Sequence, residues 1–239
     1  ELQNLSSPVG KAYWLQTRVT PTCAKRFDAI GVASTENNRR DYREMLFRSK
    51  GISGNIGGVI LFDETIRQCA ADGTTFADLL LEQNALPGIK VDQGLTHLEN
   101  LPNETLTTGL EGLDERLTEY AALGARFTKW RAVLNIGDGK PSSEAIDENM
   151  SALAQYAKCA QNNGMVPIVE PEVLMDGDHT IDACYEATEK SLKSLFQHLE
   201  ARDVDIEGTL LKPNMVTAGT ECATPVSYTH LTLPTMLMV

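Results

Sequence analysis

Short apolar runs alternate along the chain with longer stretches whose apolar positions recur at helical spacing. Gly-Val-Ile-Leu-Phe (58–62) carries no polar position and predicts a buried strand. Gly-Ile-Lys-Val-Asp (88–92) and residues 125–134, 166–173 and 208–216 read the same way. Between them, residues 36–47, 75–83, 110–123, 142–163 and 181–201 read as helices. The run Pro-Ser-Ser-Glu (141–144) can cap the fourth of these. Strand and helix alternating this often predicts parallel strands joined by crossover helices. A doubly wound sheet would show a Gly-rich phosphate turn after its first strand, and none is present. The expectation is therefore an α/β fold of the (β/α)8 TIM-barrel type. Five strands are legible from the pattern alone, so the barrel is expected to be incomplete.

Besides Lys90 and Asp92 in 88–92, charged residues interrupt three of these strands. In Phe-Thr-Lys-Trp-Arg (127–131), alternation puts Lys129 and Arg131 on one face and Trp130 on the other. In Val-Pro-Ile-Val-Glu-Pro-Glu (166–172), Glu170 and Glu172 share a face. In Leu-Leu-Lys-Pro (210–213), Lys212 stands alone in an apolar strand and is expected to be buried. A buried lysine either pairs or gives up its proton, and a neutral amine is the nucleophile that condenses with a ketone. Two neighbouring carboxylates supply proton transfer. Any one Lys–Glu pair is as readily a structural salt bridge, but the set falls where barrel chemistry belongs, at the C-terminal ends of successive strands. The pattern suits Schiff-base chemistry on a phosphorylated ketose. By contrast, Arg39-Arg40 reads as a solvated helix face, Asp-Gly-Asp-His (176–179) as a turn entering a helix, and the four histidines as surface or core fillers.

Composition narrows the class. The 239 residues are 42% hydrophobic, enough for a sizeable core, and 21 basic against 33 acidic residues give a formal charge of -12. That balance argues against non-specific nucleic-acid binding. No run is long and apolar enough to span a membrane. The five cysteines are odd in number and widely spaced, which points to neither a disulfide framework nor a structural zinc site.

The segments Glu36 to Arg40, Gly58 to Phe62, Gly88 to Asp92, Lys129-Trp130-Arg131, Val166 to Glu172, Asp176 to His179 and Glu207 to Val216 closely resemble class I fructose-bisphosphate aldolases. The resemblance runs from about Gly10 to about Ser227. It implies a metal-free, cofactor-free lyase that cleaves fructose 1,6-bisphosphate to dihydroxyacetone phosphate and glyceraldehyde 3-phosphate. Lys212 would form the Schiff base, Glu170 would be the acid/base for carbinolamine formation and loss, Lys129 would assist near the breaking bond, and Glu172 would hold the lysine network. Lys90, Arg131, Arg26 and, beside it, Lys25 would bind the substrate and its phosphates. The resemblance also implies a homotetramer of the full-length protein, in the cytoplasm or the plastid stroma. A transaldolase-like barrel is disfavoured by the Glu-Pro-Glu motif and the phosphate-binding cations; an aldolase-derived scaffold without activity is the alternative from another class.

Two stretches depart from the family. The family opens its barrel with a strand close to Gly-Ile-Leu-Ala-Ala-Asp-Glu-Ser, whose Asp takes part in carbon–carbon cleavage. Here Ala12 to Thr20 do not match, and Thr17 stands at the position of that Asp. Codons can be chosen for Ala12 to Pro21 that, prefixed by one G and read in the other frame, encode Gly-Ile-Leu-Ala-Ala-Asp-Glu-Ser-Asn-Pro. A local frameshift is the expectation, and a clean in-frame read of the coding region would contradict it. After Ser227 the family resemblance stops, and 228–239 reads as a non-native tail. Residues 1–227 are thus expected to form an aldolase barrel truncated after about the sixth strand, with two open edges, unstable or inactive alone.

Overall fold

The computed structural model of the protein describes residues 11–15 and 20–225. Its elements run β1 (Ala12–Leu15), α1 (Thr20–Asp28), α2 (Glu36–Phe47), α3 (Ile52–Asn55), β2 (Ile56–Leu61), α4 (Asp63–Ile66), α5 (Phe76–Glu82), β3 (Leu86–Lys90), β4 (Leu95–Leu98), β5 (Leu101–Thr107), α6 (Leu113–Ala122), β6 (Phe127–Leu134), α7 (Ser143–Asn162), β7 (Val166–Val173), α8 (Ile181–Ala201) and β8 (Leu210–Leu211). Six strands form one sheet in the order β1-β2-β3-β6-β7-β8, with parallel pairing in every register that is defined. Neighbours in the sheet follow one another along the chain, apart from the separate antiparallel hairpin β4–β5. This is the strand order of a (β/α)8 barrel, as the periodicity predicts, with six strands in place where the pattern alone shows five.

The chain forms two compact units. The first holds residues up to Val91 with Gly112–Lys129 and Ala160–Pro167; the second holds Asp92–Glu111, Trp130–Cys159 and residues from Ile168 on. In the first, β3 and β6 pair Gly88 with Phe127 and Lys90 with Lys129. A side chain at Gly88 would put its Cβ 2.3 Å from the Phe127 ring, and one at Gly58 would lie 2.7 Å from the ring of Tyr13. The two glycines leave room for these rings, which meet edge to face at 5.3 Å. On the helical side, Phe47 of α2 meets Phe76 of α5 edge to face at 5.2 Å, and both are fully buried.

In the second unit, Trp130 stacks on Tyr156 of α7 at 5.4 Å, and the Tyr156 hydroxyl donates to the Ile168 carbonyl at 3.3 Å. Helix α8 buries Cys184, Thr188, Ser191, Leu195 and Leu199, three or four residues apart along one stripe. Its start is set by Thr180, whose hydroxyl accepts from the Ala183 amide; Ser142 does the same for Ala145 at the head of α7.

Two readings need correction. The strand expected over 208–216 pairs over Leu210–Leu211 alone. The next rung would take the N–H of residue 171 on β7, which is proline and has none, so regular pairing stops there. Hairpin β4–β5 was not anticipated: most of β4 is exposed and its residues do not alternate, so nothing in the pattern marks a core face.

Candidate active site

Lys212 follows β8 directly. Its amide donates to the Val169 carbonyl at 2.9 Å, which holds it beside β7. Its ammonium nitrogen donates to the Oε1 of Glu170, and the Glu170 side chain is 4% exposed. Lysine 212 itself is not buried as expected: its side chain is 52% exposed. The strand it follows is the last of the sheet's order, and among the described residues no strand pairs with its other edge. An accessible amine in contact with a buried carboxylate is a sound arrangement for imine chemistry. The carboxylate is close enough to take the ammonium's proton, and a carbonyl compound can approach from solvent.

One turn of the pleat further along β7, Glu172 accepts a hydrogen bond from Nε of Arg131 on β6. Glu172 thus holds a guanidinium. The Arg131 backbone is tied down independently, because its carbonyl accepts from the Thr107 hydroxyl at 2.9 Å at the end of β5. Thr107 is steadied in turn by buried Asn149 of α7, whose amide bridges the backbone of Thr105 and Thr107. The hairpin that sequence reasoning missed therefore anchors one of the expected substrate ligands. Leu-Thr-His-Leu (95–98) shows no apolar alternation, so no local signal revealed it.

In the first unit, Lys90 and Lys129 are register partners on β3 and β6, and Lys129 is 4% exposed. Lys25 and Arg26 occupy the last turn of α1, both exposed. Thr17 lies outside the described residues, as do 226–239. Among the described residues no group of three or more His, Cys, Asp or Glu is placed to hold a metal ion, and none of the five cysteines is in a disulfide.

Arg39 is not on a solvated face. It pairs with Glu64 at 2.9 Å and is largely buried, because the polar side of α2 packs against α4 rather than water. Sequence reading missed Arg43 beside it, which is 1% exposed and donates to Gln68 at 2.8 Å and to Glu64 at 3.2 Å. Burial pushes the Glu64 carboxyl up, but the hydrogen bonds from Arg39 and Arg43 outweigh it and hold the group below the usual carboxylate range. Arg40 does face solvent, paired to its neighbour Asp41.

The profile of the family described as fructose-bisphosphate aldolase class-I matches residues 9–239. The chain belongs to the class I fructose-bisphosphate aldolase family. It is 50% identical over 218 residues to a probable fructose-bisphosphate aldolase class 1 of Xanthomonas campestris, across 91% of this chain and 65% of that protein. It is 49% identical over 217 residues to the cytosolic fructose-bisphosphate aldolase 4 of Arabidopsis thaliana, across 91% of this chain and 55% of that one. Among solved structures, a fructose-bisphosphate aldolase from Plasmodium falciparum, crystallised with TRAP and a small-molecule inhibitor, superposes with a TM-score of 0.91 at 45% identity. That match covers 95% of this chain and 66% of the other. The aldolase chain thus spans about two thirds or less of the length of these relatives.

Proposed function

We propose that this chain carries the Schiff-base centre of an enzyme that reversibly cleaves fructose 1,6-bisphosphate to dihydroxyacetone phosphate and glyceraldehyde 3-phosphate. The observation that carries the reading is the Lys212–Glu170 pair: a reachable amine in contact with a buried carboxylate. The Lys212 nitrogen adds to the ketone carbon, and the resulting carbinolamine hydroxyl takes a proton from Glu170 and leaves as water. The iminium then accepts the electron pair of the breaking carbon–carbon bond, giving an enamine and releasing the aldehyde, whose hydroxyl proton passes to the Glu170 carboxylate left by the dehydration. Lys129 lowers the energy of negative charge near that bond. Lys90, Arg131, Arg26 and Lys25 are the proposed phosphate and substrate ligands, since each phosphate accepts several charge-assisted hydrogen bonds. Glu172, in contact with Arg131, orients that guanidinium. We assign no metal or organic cofactor to the reaction, and propose a homotetramer in the cytoplasm or the plastid stroma. Among the described residues no helix is long and apolar enough to cross a membrane.

Thr17 favours a second reading, an aldolase-derived scaffold, because a hydroxyl cannot serve as the acid/base that a carboxylate provides at neutral pH. A coupled assay of triose phosphate release from fructose 1,6-bisphosphate separates the two. Turnover that Lys212→Met abolishes supports the enzyme. Absence of both turnover and imine formation leaves the scaffold.

A further inference from the structure

The ladder between β7 and β8 fails at the height of the reactive pair. The bond from the Lys212 amide to the Val169 carbonyl fixes the parallel register, and in that register the next donor, to the Lys212 carbonyl, is the N–H of residue 171. Residue 171 is proline, so the rung to the Lys212 carbonyl has no donor. The following N–H, that of Val173, would donate to the backbone carbonyl of Asn214 if the ladder continued. Instead it donates at 3.3 Å to the side-chain Oδ1 of Asn214. The same side chain's Nδ2 donates to the Thr188 hydroxyl of α8 at 3.0 Å and to the Met215 carbonyl at 3.1 Å. Thr188 is itself buried on the inner stripe of α8.

We infer that Asn214 is a positioning residue for the Lys212–Glu170 pair. Its amide oxygen supplies the acceptor for the Val173 rung, the first donor beyond the one that Pro171 removes, and its amide nitrogen ties that rung to α8. Pro171 leaves the Lys212 carbonyl without a rung, and without a side-chain acceptor for Val173 the segment Lys212–Met215 would be held to β7 only from the N-terminal side. Displacement of a reacting amine by about an ångström costs on the order of 100-fold in rate, which is the scale of the expected effect.

This inference rests on the Schiff-base reading, and the experiment separates the two. Adduct formation at Lys212 with dihydroxyacetone phosphate and borohydride is followed against ligand concentration in the parent chain, Asn214→Leu and Asn214→Asp. Backbone amide exchange is followed in parallel. In Asn214→Leu the rate at saturating ligand falls roughly tenfold to a hundredfold, with the half-saturating concentration unchanged. The Val173 amide exchanges faster while the Lys212 amide, still bonded to Val169, does not. Asn214→Asp, which keeps an acceptor for Val173, restores that protection. An Asn214→Leu protein with the parent's rate and the parent's Val173 exchange overturns the proposal. So does a rate loss no larger than the loss of folded protein by circular dichroism. A parent chain that forms no adduct overturns the Schiff-base reading instead; Val173 exchange then decides the rung by itself, acceleration supporting it and unchanged exchange overturning it.

Discussion

Replacing Gly88 by alanine tests the packing that sets the register of Lys90 and Lys129. The added methyl would sit 2.3 Å from the Cε2 and Cζ atoms of Phe127, where ordinary carbon contacts lie beyond about 3.4 Å. Phe127 is 2% exposed, and its other edge is met by the ring of Tyr13, so the ring has no open space to turn into. Overpacking of a tight core costs about 1–3 kcal/mol and sometimes more. With both strands fixed by backbone pairing, Gly88→Ala should lie near the upper end, about 3 kcal/mol. At a urea m-value of about 2–3 kcal/mol per molar, the unfolding midpoint by circular dichroism should fall by roughly 1 M. Phe127→Leu alone should cost about 1 kcal/mol, and in combination with Gly88→Ala should recover about 1–2 kcal/mol of the clash. A Gly88→Ala midpoint within error of the parent would refute the reasoning, as would strict additivity in the double mutant.

Two further predictions concern α2. Arg43→Leu removes a buried guanidinium from Gln68 and Glu64 but leaves Glu64 its bond to Arg39, so the loss in urea unfolding should be about 2–3 kcal/mol, at the low end for a broken buried pair. Because the folded Glu64 carboxyl is held below its unfolded value, its contribution to stability is complete above about pH 4.3 and is lost as pH falls through the folded value. A carboxyl carbon NMR titration should therefore place Glu64 below the ordinary range, and stability below about pH 4 should fall less steeply in Glu64→Gln than in the parent. A midpoint at or above the ordinary value contradicts the account.

What the sequence made legible follows from where local signals and tertiary packing agree. Helices α2 and α8 begin and end where expected, because Thr35 and Thr180 cap their starts and their apolar stripes face the core. Strand β7 is also recovered in full, since a continuous apolar run with two glutamates has no competing reading. β8 was overextended because its own apolar character does not register that Pro171, on the facing strand, withholds the next donor. The exposure of Lys212 was missed for a related reason: its place at the end of the sheet's order is a property of topology, not of its neighbours in sequence. Arg43 looked like one more charge on a polar helix face. Its partners Glu64 and Gln68 are more than twenty residues away, and no local pattern connects them. The role assigned to Asn214 was equally invisible, because a side chain standing in for a backbone carbonyl can be recognised only from the register.

The central claim is that the Lys212 amine, paired with Glu170, forms an imine with a phosphorylated ketone. Incubation with dihydroxyacetone phosphate, borohydride reduction and peptide mapping test it most directly. The account predicts one reduced adduct, on the peptide containing Lys212, and none in Lys212→Met. An adduct on any other lysine, or none in the parent chain, would contradict it.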